Sequence, residues 1–173
     1  MKLLHTLPTL LLVVLAGCTS TEAGTASPEE AQKSSDKTGS APTTSSAQDL
    51  AKIDPCDLLT GVSGTVPVQE VEKVGSDSCR TRVGRDNALR INIRTDLGLK
   101  DYVLGQGAEP SDTTVGAHKG KIVRKTLTDL DCVVVIGVGE NARVDVFVAA
   151  DVSLDEGCAL ATEVATAIEP KLP

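Results

Sequence analysis

Hydrophobic side chains fall along this chain in three regimes. Leu3 to Leu15 is a short apolar run broken by His5, Thr6, Pro8 and Thr9. From Thr19 to about Asp49 large apolar residues almost vanish. From Leu50 to the C-terminus they return with recognisable periods. The third regime carries the fold. Asp54 can cap a helix that Pro55 opens and Gly61 ends. Val66-Pro67-Val68-Gln69-Glu70-Val71 alternates, and its proline suits an edge strand. Cys79 to Val83 and Ala88 to Thr95 alternate on either side of the turn-rich Gly84-Arg85-Asp86-Asn87, predicting a hairpin. Leu89, Ile91 and Ile93 take one face of its second strand. Asp96 to Leu104 reads as a short helix, Gln106 to Thr114 as a loop, and Lys119 to Thr126 as a strand.

Asp131 to Val138 is apolar on both faces, as expected of a strand inside a sheet covered on both sides. Arg143 to Ala149 follows, with Val144, Val146 and Val148 facing one way and Phe147 the other. Ser153-Leu154-Asp155-Glu156 is a capping box. Beyond it Cys158, Ala161, Val164, Ala165 and Ile168 form one helical stripe ended by Pro170. These elements predict one α+β domain over residues 50–173. Its sheet is mostly antiparallel with about five to six strands, packed by N-terminal and C-terminal helices. A sandwich with helices on both sheet faces is the alternative.

Composition narrows what such a domain can do. Aromatic residues are 1% of the chain, with one Tyr, one Phe and no Trp. The core must therefore come from Val, Ile, Leu and Ala. Ligands held by aromatic stacking, single-stranded nucleic acid and sugars among them, have only Tyr102 and Phe147 to use. A net charge of −7 offers no electrostatic trap for nucleic acid and no general attraction to anionic lipid.

The first two regimes set place and topology. Met1-Lys2 followed by the apolar run is too short for a membrane span, which needs roughly 20 apolar residues. It matches a signal peptide over residues 1–17. It ends in Leu15-Ala16-Gly17-Cys18, which resembles a bacterial lipobox. There a diacylglyceryl group joins the cysteine thiol, and cleavage before Cys18 makes it the first residue of the mature chain. Palmitate-type acyl chains at Cys18 would hold the protein on the extracytoplasmic face of the cell membrane, at roughly 0.8 kcal/mol per buried methylene. Residues 18–49 then form a Ser/Thr-rich tether too polar to order itself. As a coil of about 30 residues it reaches about 30 Å.

With Cys18 set apart, Cys56, Cys79, Cys132 and Cys158 remain, an even number in an exported domain. Three connectivities exist. The preferred one, Cys56–Cys79 and Cys132–Cys158, ties the first helix to the first hairpin and the central strand to the last helix. Their wide spacing and the single mature histidine, His118, argue against zinc. The absence of Cys-x-x-Cys argues against a redox pair. No metal or other cofactor is called for.

The lipobox, the tether, Asp54-Pro55-Cys56-Asp57-Leu58-Leu59-Thr60, Cys79, Val115-Gly116-Ala117, Cys132 and the stretch from Cys158 to Pro173 together resemble an actinobacterial lipoprotein family. That family is known as a domain of unknown function, number 3558. Many of its members carry an aromatic residue two positions after the second cysteine, where this chain has Thr81. The resemblance implies place, disulfide-stapled architecture and the outer face of a cytoplasmic membrane. It implies no activity.

Catalytic motifs are thin. His118 lies in a Gly-rich bend and reads as an exposed loop residue. Ser63 in Gly61-Val62-Ser63-Gly64 lacks the nucleophile elbow. Gly105-Gln106-Gly107 and Gly137-Val138-Gly139 do not extend into a phosphate-binding fingerprint. Asp129-Leu130-Asp131 lacks calcium-loop spacing. The polar cluster that stands out is Arg80, Arg82, Arg90 and Arg94, which alternation places on one face of the hairpin. Arg recognises carboxylate and phosphate through two parallel hydrogen bonds. The plainer reading is a solvated face paired with Asp or Glu from a covering helix. The expected function is a non-enzymatic, lipid-anchored envelope module that binds a partner protein or an anionic lipid or polymer. An enzyme acting on cell-wall or lipid substrates is the alternative. A carboxylate-lined cleft or a buried His118 would favour the enzyme, and a groove with exposed arginines would favour binding.

Overall fold

The computed structural model describes residues 44–173. The signal segment, Cys18 and most of the tether lie outside the described residues. The chain becomes helical at α1, Thr44–Leu50, inside the stretch assigned to the tether. Leu50 is fully buried and Ala47 packs against the same core. Two apolar residues three positions apart within a polar run were too weak a period to read. The helix α2, Pro55–Gly61, follows as expected, with the Asp54 carboxylate accepting from the Cys56 amide at 2.8 Å. Leu58 and Leu59 supply its buried side.

Seven strands follow: β1 Glu72–Lys73, β2 Ser78–Val83, β3 Asn87–Arg94, β4 Glu109–Val115, β5 His118–Arg124, β6 Asp131–Gly137 and β7 Arg143–Ala149. They form one sheet in the order β1-β2-β3-β7-β6-β5-β4, with every pairing antiparallel. The helix α3, Leu154–Ile168, starts at Ser153, whose hydroxyl accepts from the Glu156 amide. It lies over β6 and β7, while α2 lies over β2 and β3. Leu50, Leu58, Leu59 and the α3 stripe share one core with Leu89, Ile91, Val134, Ile136, Val144, Val146 and Val148. All three helices therefore cover the same sheet face, and the two-sided helical sandwich does not form.

The strand count exceeds the expected five to six because Glu109–Val115 is a strand and not a loop. Its side chains are polar and mostly exposed, with only Val115 buried. Such a strand sits at an edge and shows no hydrophobic alternation; Pro110 fits there because an edge strand need not donate every amide. Val66–Val71 contributes only a single bridge, Val68 to Val83, and the edge strand beside β2 is Glu72–Lys73. The helix expected over Asp96–Leu104 shrinks to one 3₁₀ turn, Leu99–Asp101.

Strand order explains that segment. β3 lies beside β7, yet the next strand, β4, lies at the far edge. Residues 95–108 must cross β7, β6 and β5 on the face that the helices leave free. Leu99, Tyr102 and Ala108 of this strap pack on Val123, Val133 and Val135. That is why β6, apolar on both sides, is buried on both sides.

Both preferred disulfides are present. Cys56–Cys79 joins α2 to β2 and Cys132–Cys158 joins β6 to α3. With sequence separations of 23 and 26, each removes about 3–4 kcal/mol of unfolded-state freedom in the chain-entropy view.

Candidate anion-binding face

Alternation along β2 and β3 puts Leu89, Ile91 and Ile93 under the helices and sends the intervening side chains to the helix-free face. Register then aligns one continuous row across that face: Glu72, Arg80, Arg90, Phe147, Val133, Val123 and Pro110. Directly opposed residues on neighbouring antiparallel strands touch through their side chains. The row changes character at Phe147, with charge on one side and aliphatic groups under the strap on the other.

All four arginines singled out by the pattern lie on this face, but they do not act as one cluster. Arg80 donates to both oxygens of Glu72, at 2.9 and 3.0 Å. Arg82 lies 3.7 Å from Asp86, and Arg94 is 2.6 Å from Asp77. Arg90 has no carboxylate partner among the described residues. The partners come from β1 and from the turns beside β2, not from a covering helix, because α1, α2 and α3 lie on the other face. Arg94 is four residues along β3 from Arg90, roughly 13 Å at 3.3 Å per residue, and stands apart. Arg80, Arg82 and Arg90 line a groove of about 500 Å³, bounded by Gln69, Glu70, Glu72 and Phe147. The Gln69 amide donates to the Arg82 carbonyl at 2.9 Å, and its side chain donates to the Gly84 carbonyl at 2.7 Å. These bonds fix the wall of the groove to β2.

Beneath the strap lies a second polar group that alternation alone could not reveal. Arg143 and Asp145 are both buried, with Arg143 Nε donating to Asp145 Oδ1 at 2.9 Å. A second Arg143 nitrogen donates to the Gly98 carbonyl at 3.0 Å, and its guanidinium lies 5.2 Å from the Tyr102 ring centre. Gly98 is itself buried, and a Cβ there would run into the Glu140 carbonyl. Burial pushes the Asp145 carboxyl up, against the pull of Arg143 and Arg94. Burial, with the Asp145 charge, also raises the Tyr102 phenol. This group holds the strap down. A signal for it existed only as two charges two residues apart in a Val-rich strand.

His118 is not an exposed loop residue. It opens β5 with its side chain 16% exposed. Its Nδ1 lies 3.0 Å from Glu169 Oε1 and its Nε2 lies 3.2 Å from the Pro173 main-chain oxygen. The same Glu169 oxygen accepts from the Ala117 amide at 2.9 Å. The turn before it needs Gly116, whose φ of +55° is left-handed and whose missing Cβ leaves room for the Glu169 carboxylate. Hydrogen bonds to the Ala117 amide and to His118 hold Glu169 below the usual carboxylate range. His118 also borders an open depression of about 750 Å³ with Lys100, Lys119 and Lys121. Ser63 lies in the turn after α2, and Gly139 turns β6 toward β7. Asp131 accepts from the Thr128 amide and closes the loop into β6. None of these converges with the arginine groove. Among the described residues no group of three or more His, Cys, Asp or Glu is placed to hold a metal ion.

A family model described as a protein of unknown function (DUF3558) matches residues 13–171. The chain belongs to the DUF3558 family. The DUF3558 match takes in Cys18, the four paired cysteines, the groove arginines and the strap. No curated protein and no solved structure matches the chain.

Proposed function

We propose that this protein is a lipid-anchored cell-envelope module, held at Cys18, that binds an anionic envelope molecule or partner without chemical turnover. The observation that carries the reading is the open groove on the helix-free face, where Arg90 stands without a carboxylate partner between Arg80 and Phe147. The lipobox-like end of the apolar run and the polar stretch after it support a tethered head outside the cytoplasm. The two disulfides suit the same compartment.

Mass spectrometry of the full chain extracted from its own membrane tests the anchor. A diacylglyceryl mass on Cys18 is expected, and an unmodified residue with residues 1–17 retained would reject it. Replacing Arg82 and Arg90 by Ser tests the binding face. The fold should persist while any co-purifying anionic molecule is lost, and its retention would sink the reading.

An enzyme acting on cell-wall or lipid substrates draws on one specific observation, the His118–Glu169 pair beside the lysine-bordered depression. Both ring nitrogens of His118 lie within 3.2 Å of an oxygen of the C-terminal segment, which favours a structural role for it. Turnover of a wall or lipid substrate that disappears in His118→Gln would revive the enzyme.

A further inference from the structure

Among the described residues the groove has one cation without a carboxylate partner and one apolar wall. Arg80 is neutralised by its two-point contact with Glu72, and Arg82 leans toward Asp86. Arg90 is exposed and directly opposes Phe147 on β7. Phe147 is half-buried and packs with Leu99, Tyr102 and Ala108 on the strap-covered cluster. Its open edge is therefore held in position rather than free to rotate away.

Resting on the binding reading above, we infer that this groove takes a small amphiphile carrying a single negative charge. A carboxylate or phosphodiester sits on Arg90, and the attached apolar or flat group lies against Phe147. Charge decides the single valence. Glu72 matches Arg80 and Asp86 faces Arg82, so Arg90 is the lining arginine without a carboxylate partner among the described residues, with Glu70 at the rim. A polyanion would face Glu70 and Glu72 at the rim, on a chain whose net charge is already −7. Shape decides the headgroup, because a free guanidinium fork matches a pair of oxygens on one centre. The volume, about 500 Å³, is that of a small-molecule site, and Phe147 gives its otherwise polar lining one apolar wall. The same chemistry is offered by a free acid and by the diester headgroup of a bilayer lipid.

Calorimetry on the full chain held in phosphatidylcholine nanodiscs tests this with three probes: 1-naphthoate, the neutral 1-naphthamide and inorganic triphosphate. The expected order is naphthoate at least tenfold tighter than either other probe. Arg90→Gln should weaken naphthoate tenfold or more. Phe147→Leu, which keeps an apolar side chain behind the strap, should weaken it several-fold. Triphosphate binding more tightly than naphthoate, and lost in Arg90→Gln, would overturn the single-charge amphiphile while leaving an anion-binding face. Equal binding of every probe by the parent chain and Arg90→Gln would overturn both. Replacing part of the nanodisc lipid with phosphatidylglycerol separates the sources. A tenfold drop in apparent naphthoate affinity assigns the groove to bilayer headgroups, and an unchanged affinity assigns it to a free molecule; either result supports the inferred chemistry once naphthoate has bound.

Discussion

The two halves of the helix-free sheet face start from the same alternation and end differently. On β5 and β6 the outward positions Val123, Val133 and Val135 lie under a strap. On β2 and β3 the outward positions Arg80, Arg82 and Arg90 lie open. The covered half is apolar on β5 and β6, with the paired Arg143 and Asp145 on β7, because the connection from β3 to β4 has to cross it. The open half has no connection to carry and keeps arginines at four of its outward positions, Arg80, Arg82, Arg90 and Arg94. Burial on one side and exposure on the other thus follow from strand order. Phe147, one residue in the shared row, belongs to both halves.

Breaking the covered half should have the largest effect. Arg143→Ala would leave Asp145 buried without its partner and free the Gly98 carbonyl. A loss of about 3–5 kcal/mol in denaturant unfolding is expected, with fast hydrogen exchange over residues 97–108. The pH dependence has a definite sign. The folded state raises the Asp145 carboxyl above its ordinary 3.8. The cost of ionising it is therefore full above its folded value, fades as pH falls from there toward 3.8, and is gone below 3.8. The deficit of Arg143→Ala should shrink in acid; a deficit that does not change with pH would mean the strap is held by other contacts.

At the boundary, Phe147→Ala should cost about 2 kcal/mol, below the fully buried range because the ring is half-exposed. Calorimetric unfolding would check it, and a loss above about 4 kcal/mol would mean the ring belongs wholly to the covered half. A smaller effect is expected at the end of α3. Glu169 is held below its ordinary 4.5. Its contribution is present above 4.5 and is lost as pH falls through the lower folded value. The stability gap between the parent chain and Glu169→Gln should close in that window. On the open half, Arg90→Gln should change stability by no more than about 0.5 kcal/mol. A larger loss would show that Arg90 serves the fold rather than a bound molecule.

Much of this was legible from residue pattern. The β2–β3 hairpin, the doubly apolar β6 and the capped α3 each carry local signals that agree with the tertiary structure. The even set of four cysteines left three connectivities, and the one preferred for tying first helix to hairpin and central strand to last helix is the one that forms. Strand β4 was hidden because an edge strand exposed on both sides has no alternation to read. The strap was hidden because its role depends on where β4 lies, which no local window contains. For the site, alternation placed the four arginines on one face. It could not divide them, because the division rests on register: Glu72 opposes Arg80, while Phe147 opposes Arg90. The buried Arg143–Asp145 pair was unreadable for the same reason, since its burial comes from residues more than forty positions earlier.

Register also bears on how the chain assembles. Strands β1 to β3 form one meander and β4 to β7 another, and the seam between β3 and β7 pairs residues roughly fifty to sixty positions apart. Closing that seam is the slow, non-local step, because long loops must be closed before their contacts form. Neither disulfide crosses it. Cys56 pairs with Cys79 inside the first half, and Cys132 with Cys158 inside the second. Each bond therefore joins neighbours in the series Cys56, Cys79, Cys132 and Cys158, so both can form within their own half before the two meanders meet.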